Sequence, residues 1–388
     1  MASDYIRAVV SSARRLVPPV ALAILLIALA IDFWRRYEPI GIDFHTYEAA
    51  ARVGLQHGWS HLYDQSLVAI EQKRLVLEQV TQPFLSPPPV AWLAAVLVPL
   101  PYLTAYYVWA AVTFAAFALA LAWSAPSHGL ARWIAIAGAL ASWWVLHAVH
   151  LGQVVPLVAA GVVVAWRLVR EERDVAAGIV LSLVLLKPNT AFIVPLALLA
   201  AGRYRTFAAW SVAGALLAAF ALLTMGFDGV AAYLRQVGGP LPGGADVTLE
   251  GALGVSGTVA FALRVLIVAG AVVAAFRLRS SPGLVIAVGS LASLLVAPYL
   301  HGSDLCVLSA AAWIVWEERP APAWRAPLAV GWLASSPFAD ITGLGPGVRQ
   351  WPLLELALLM ALLVTTWRVR KPVDPPGRLS TGDTVMAQ

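Results

Sequence analysis

Gly41-Ile42-Asp43-Phe44-His45-Thr46-Tyr47-Glu48, continuing to Leu62-Tyr63-Asp64, follows the first hydrophobic span and opens the longest polar interval of the chain. Almost everything around it is apolar. A polar segment placed so early in such a sequence reads as the first part of a site held at a membrane surface. The rest of the chain then supplies a membrane scaffold that carries partner residues to it.

Composition supports that reading. Of 388 residues, 60% are hydrophobic and 12% charged, and the mean hydropathy is +0.79. Soluble domains are about half apolar and about a quarter charged. The departure points to an all-α, polytopic membrane protein, because lipid instead of water must solvate most of the surface. Cys306 is the single cysteine, which excludes a disulfide framework and a Cys-based metal site. The net charge of +5 and a pI near 9.5 come from arginines at span ends, not from a basic block interleaved with aromatics. That pattern speaks for membrane topology and against nucleic acid.

The first span, 16–33, is preceded by Arg7, Arg14 and Arg15 and reads as an uncleaved signal anchor, with Ala28-Leu29-Ala30 as the alternative cleavage site. Residues 34–85 form a long first outer loop with charges of both signs. Within it, Phe44, Tyr47, Ala51 and Leu55 recur at helical steps, so 44–57 is expected to be an amphipathic helix closed by Gly58. A second helix is expected around 65–80, with Asp64 as its cap. Val90 to Leu100 is too short for a crossing, which needs about 20 residues, and reads as a re-entrant or interfacial piece.

Further spans are expected at 102–123, 133–151, 154–167, 175–187, 190–201, 207–225, 258–276, 282–299, 303–316, 325–340 and 351–368, giving about twelve transmembrane helices with the first. Under that parity, 17 of the 26 lysines and arginines fall on the side of the N-terminus. Five of the remaining nine lie in the first long loop. The positive-inside rule therefore places both termini in the cytoplasm, in a multi-pass protein of the cell (cytoplasmic or inner) membrane. Residues 1–368 read as one membrane-embedded domain. Residues 226–257, rich in Gly and Pro, form a second outer loop without evident secondary structure, a lid or a connector. The tail 369–388 is expected to be disordered in the cytoplasm.

Parity also puts Asp43, His45, Gln153, Lys187, Asn189, His301 and Asp304 on the outer side, facing the periplasm or the exterior, where apolar segments break. Polar groups at membrane depth are costly and usually face a cavity or each other. Asp43 reads either as a helix N-cap or as a general base, and the two roles are compatible; a carboxyl of ordinary pKa, about 3.9, is already ionised at neutral pH. His45 either orients that base or sits at the interface. Lys187, in Leu186-Lys187-Pro188-Asn189, either snorkels at a span end or receives a phosphate, and Arg264 has the same two readings. His301 stabilises a leaving phosphate or assists proton transfer, or belongs to a polar turn in which Asp304 caps the next helix. Tyr47, Gln153, Asn189 and Asp304 join His45 as substrate-binding candidates. His147 and His150 lack a third ligand nearby, so no metal is expected, and no cofactor.

Taken in order, Gly41-Ile42-Asp43-Phe44 with Tyr47, Leu62-Tyr63-Asp64, Phe84 with Pro87-Pro88-Pro89, Leu151-Gly152-Gln153, Leu186-Lys187-Pro188, and His301 with Asp304-Leu305 resemble the membrane glycosyltransferases of the GT-C fold. The chain is most similar to glycosyltransferase family 87, over roughly residues 40–310. The resemblance implies a polyprenyl-phosphate sugar donor, usually mannose, and a hydroxyl acceptor on a glycolipid or glycan. It implies inversion at the anomeric carbon with Asp43 as base, and Lys187 and His301 facing the donor phosphate. A transferase using a polyprenyl-phosphate arabinofuranose is the nearest alternative. A secondary transporter or lipid flippase is the alternative from another class, against which stand the absence of repeated halves and the gathering of polar residues at one surface. A non-catalytic scaffold would leave Asp43 dispensable.

Overall fold

The computed structural model describes residues 20–21, 23–32, 35, 39–125, 129–239, 247–318, 322–342 and 347–368. The start of the signal anchor, Arg36 and Glu38 of the first long loop, 240–246 of the second and the tail 369–388 lie outside the described residues. Among the described residues every regular element is helical and none is a strand.

After α1 (Ala23–Asp32) the polar segment folds as α2 (Ile42–His57), a short 3-10 turn and α3 (Gln65–Leu75). Gly41, in the left-handed region at φ 72°, starts α2, and Gly58 at φ 94° ends it. The helix thus begins two residues before the expected position, and Asp43 lies in its first turn, not at its cap. Asp64 does cap α3, accepting from the backbone N–H of Ser66 and Leu67. α3 stops at Leu75, earlier than expected, where Val76 turns extended. Pro87 and Pro88 then start α4 (Pro88–Ala95), an eight-residue helix that ends in turns before α5 (Tyr102–Ser124).

The next apolar stretch is broken into α6 (Leu130–Leu140) and α7 (Trp143–Leu151), bent by 56°. α8 (Val155–Arg170), α9 (Asp174–Leu181) and α10 (Ile193–Ala200) follow, the last two separated by 3-10 turns on either side of Lys187. α11 (Tyr204–Gly238) does not stop where the second long loop was expected to begin. It bends at Gly226, whose φ 69° and ψ 179° only glycine adopts readily, and continues as helix to Gly238. The short α12 (Leu249–Leu253) lies in the same loop, so that interval carries more structure than its Gly and Pro content suggests.

α13 (Gly257–Arg277), α14 (Pro282–Val296), α15 (Cys306–Glu317), α16 (Pro322–Ala334), α17 (Pro337–Thr342) and α18 (Trp351–Arg368) complete the chain. α8 and α14 are buried nearly all round and form the centre of the bundle, α8 packing on α5, α9 and α15, and α14 on α10, α13 and α15. The periphery is apolar instead of polar: Leu216, Leu223 and Phe227 on α11 and Val259, Phe261 and Leu266 on α13 are exposed. Such a surface is stable against lipid and not against water.

By length and composition, α5, α11 and α13 suffice to cross a membrane, and the bent pair α6–α7 makes a fourth if it is one span. Several of the twelve expected segments are shorter helices, such as the eight-residue α9 and α10 and the 15-residue α14. Hydropathy registers an apolar run whether or not the helix inside it is continuous, so a segment expected as one span can hold a shorter or broken helix.

Candidate active site

Two glycines set the site. Gly41 donates its N–H to His150 O at 2.9 Å, at the end of α7. A side chain on Gly41 would lie 2.7 Å from the Tyr106 ring, and one on Gly152, itself at φ 72°, would lie 2.6 Å from Phe44 Cβ. Two bare backbones therefore let the first turn of α2 touch the turn after α7. The adjoining residues, Asp43 and Gln153, meet as a result.

From that contact a chain of polar groups runs across the molecule. Gln153 Nε2 donates to Asp43 Oδ2 at 2.5 Å, while Gln153 Oε1 accepts from Tyr47 OH at 2.9 Å and from Lys187 Nζ at 2.8 Å. Lys187 Nζ also lies 2.6 Å from Asp304 Oδ1, and Asp304 Oδ2 accepts from the His301 backbone N–H at 2.9 Å. The His301 ring is bonded to Tyr299 OH, and Asn189 Nδ2 donates to Tyr299 O at 3.0 Å. Asp43, Tyr47, Gln153, Lys187, Asn189, His301 and Asp304 are thus gathered in one place from four separate parts of the chain.

These residues border a cavity of about 520 Å³, in the size range of small-molecule sites. Asp43, Tyr47, Gln153, Lys187, Asn189 and His301 line it. Residues 81–83 and 85–87 form another wall, and Tyr233 and Val237 from the far end of α11 close a third side. Burial pushes the Asp43 carboxyl above the usual carboxylate range, and Lys187, His301, the Gln153 hydrogen bond and His147 oppose that rise without cancelling it. The Tyr47 hydroxyl, buried and close to the Asp43 charge, is pushed well above its ordinary value and stays a neutral donor.

Three expected site residues take other places. Arg264 does not line the cavity; its guanidinium makes a two-point pair with Glu250 of α12, with Nη2 2.7 Å from Oε2. His45 is fully buried off the cavity and donates from Nε2 to Gln72 O at 2.7 Å, with its ring edge-on to Tyr102. Burial lowers its pKa and favours the neutral ring. Asp304 is also fully buried and does not line the cavity; it pairs with Lys187 and accepts from the His301 backbone. Its proposed capping is met in part, since it bonds the backbone of His301 at the start of a 3-10 turn.

Other contributors escaped the reading of the sequence. Tyr233 stacks on Tyr63 with ring centroids 5.0 Å apart, and its place depends on the bend at Gly226. Tyr299 stands two residues before His301, and a phenol next to an imidazole at a break between apolar segments was the available signal. Among the described residues no group of three His, Cys, Asp or Glu side chains is arranged to hold a metal ion.

An apolar-coated helical bundle with a buried acid and two basic side chains on one cavity defines a membrane protein built for chemistry on an anionic or polar substrate. The family model of glycosyltransferase family 87 matches residues 84–298. The chain belongs to that family and is a glycosyltransferase, consistent with a GT-C fold. No curated protein and no solved structure matches it.

Proposed function

We propose that the protein moves a sugar, with mannose the first choice, from a polyprenyl-phosphate donor to a hydroxyl of a glycolipid or glycan on the outer face of the cell membrane. The observation that carries this reading is the single cavity on which Asp43 meets Lys187 and His301. A sugar leaving a phosphate monoester needs a base for the incoming hydroxyl and cations for the outgoing phosphate. The lipid-exposed side chains Leu223, Phe227 and Leu234 of α11, the helix that also carries Tyr233 and Val237 to the cavity, support a donor that arrives from the bilayer.

In the transfer, the Asp43 carboxylate takes the proton of the acceptor hydroxyl as its oxygen bonds to the anomeric carbon. The bond from that carbon to the phosphate oxygen breaks, and the electron pair leaves with polyprenyl phosphate. Lys187 and His301 stabilise the charge that develops there. Attack from one face and departure from the other inverts the anomeric centre. Gln153 fixes the Asp43 oxygen it bonds and leaves the other for the acceptor.

The test uses purified protein in nanodiscs with polyprenyl-phosphate mannose and a lipid-glycan acceptor extract. Wild type transfers mannose with inverted stereochemistry, and Asp43→Asn loses about 10²–10⁴-fold in kcat. Undiminished transfer by Asp43→Asn removes it as the base. Transfer only from polyprenyl-phosphate arabinofuranose reassigns the sugar.

A further inference from the structure

One wall of the cavity is built from backbone held in an unusual way. Gln65 and Gln72 lie seven residues apart on α3, two turns along one face. Each pairs its side-chain amide with both polar groups of one residue in the segment before α4. Phe84 N donates to Gln65 Oε1 at 2.9 Å, and Gln65 Nε2 donates to Phe84 O at 3.2 Å. Gln82 N donates to Gln72 Oε1 at 2.8 Å, and Gln72 Nε2 donates to Gln82 O at 2.6 Å. Tyr63 OH fixes the next turn by donating to Ser86 O at 2.7 Å.

Bonding both groups of residues 82 and 84 on one side is the pattern of a strand bonded along one edge. In such backbone the groups of the intervening residues point the opposite way. Those intervening residues are Pro83 and Leu85, and both line the cavity, as do Gln82 and Ser86, whereas Phe84 between them is fully buried against Tyr47 and Tyr63. Among the described residues no protein group bonds Pro83 O, Leu85 N–H or Leu85 O. Proline has no N–H to leave unpaired. The free edge therefore presents two acceptors and one donor, a set that hydroxyls can meet because each both donates and accepts.

We infer that residues 82–86 are a backbone rail that binds the ring hydroxyls of the acceptor glycoside, and that Gln65 and Gln72 are positioning residues that hold it straight. This rests on the transferase reading of the cavity. The acceptor, not the donor, is assigned to the rail because Phe84 packs on Tyr47, one turn from Asp43 on α2, where the attacking hydroxyl must lie. The phosphate-facing groups Lys187 and His301 come from other elements.

The experiment measures the full chain in nanodiscs with octyl α-mannoside, octyl β-glucoside and octyl β-galactoside as acceptor probes. Thermal unfolding with and without each glycoside reads binding without needing turnover, and transfer from polyprenyl-phosphate mannose reads kinetics. Gln65→Met and Gln72→Met are expected to raise acceptor KM about tenfold, with kcat and donor KM within about twofold of wild type. Leu85→Pro, which deletes the inferred donor, is expected to lose the glycoside-induced rise in unfolding temperature, and Leu85→Ala, which keeps it, to retain that rise. Equal loss in Leu85→Ala and Leu85→Pro overturns the rail, as does a change confined to kcat or donor KM. So does a wild type that none of the three glycosides stabilises. A wild type that a glycoside stabilises but that transfers no mannose to it leaves the rail standing and removes polyprenyl-phosphate mannose as the donor.

Discussion

Asp43 carries two demands that pull apart. As the proposed base it must be ionised, yet its carboxyl, half-buried at the cavity, is held by desolvation above the ordinary value of 3.8 despite Lys187 and His301 nearby. The acid limb of kcat/KM is therefore expected above that value, and a pH profile at fixed donor checks it. The same shift has a stability sign. A carboxyl whose folded pKa is raised binds its proton more tightly in the folded protein, so it opposes folding increasingly as pH rises above the unfolded value of 3.8 and in full once pH exceeds the folded pKa. Asp43→Asn is expected to unfold at a higher temperature than wild type at pH 7, with the gain shrinking as pH falls through the raised pKa and vanishing below 3.8. A variant less stable than wild type at pH 7 contradicts this. The polar residues of the site were legible in the sequence because a lysine, a glutamine or a histidine at a break between apolar runs has few other places to go. His45 and Arg264 were misplaced because sequence shows a charge or a ring but not its partner. Gln72 O and Glu250 satisfy them away from the cavity.

Among elements, the contact between α2 and α7 decides whether the site exists. Gly152 has φ 72° and a space that a methyl group would fill to within 2.6 Å of Phe44 Cβ. Gly254 has a similar φ of 65° but nothing within 4 Å of the same position. Gly254→Ala is expected to cost only the left-handed backbone strain, about 1–2 kcal/mol. Gly152→Ala adds crowding worth about 1–3 kcal/mol and displaces Asp43 from Gln153. Chemical unfolding of the two variants side by side gives the difference, and equal losses would mean that the α2–α7 contact is loose. The helix over 44–57 and its closing glycine could be read from spacing alone, short only of the first two residues, because apolar side chains at three- and four-residue steps have one regular conformation that buries them together. The extension of α11 could not. Its apolar run loses its clear pattern at Gly226-Phe227-Asp228, and tertiary packing, including that of Gly229 on Ser60 and of Tyr233 on Tyr63, holds that half of the helix in place.

For the molecule as a whole, the apolar exterior and the three long apolar helices among the described residues make it a membrane protein, while the outer placement of the site is an expectation that rests on the arginine bias in the sequence. Cys306 is buried, which gives a quiet background for labelling. Thr81→Cys and Asn189→Cys are expected to react with an impermeant maleimide from one side of sealed vesicles, and Arg173→Cys and Arg279→Cys from the other. Labelling of positions 81 and 189 from opposite sides breaks the single cavity. The polar chain that joins Asp43 to Asp304 also has a meaning in time. Gln153 joins Asp43 across 110 residues and Lys187 across 34, and the carboxylate that neutralises Lys187 arrives only with the turn before α15. During synthesis, most of the membrane bundle is thus made before its active site can close. A nascent or truncated chain ending before residue 304 carries Lys187 without its counter-charge, so the proposed site is complete only once insertion has passed the turn before α15.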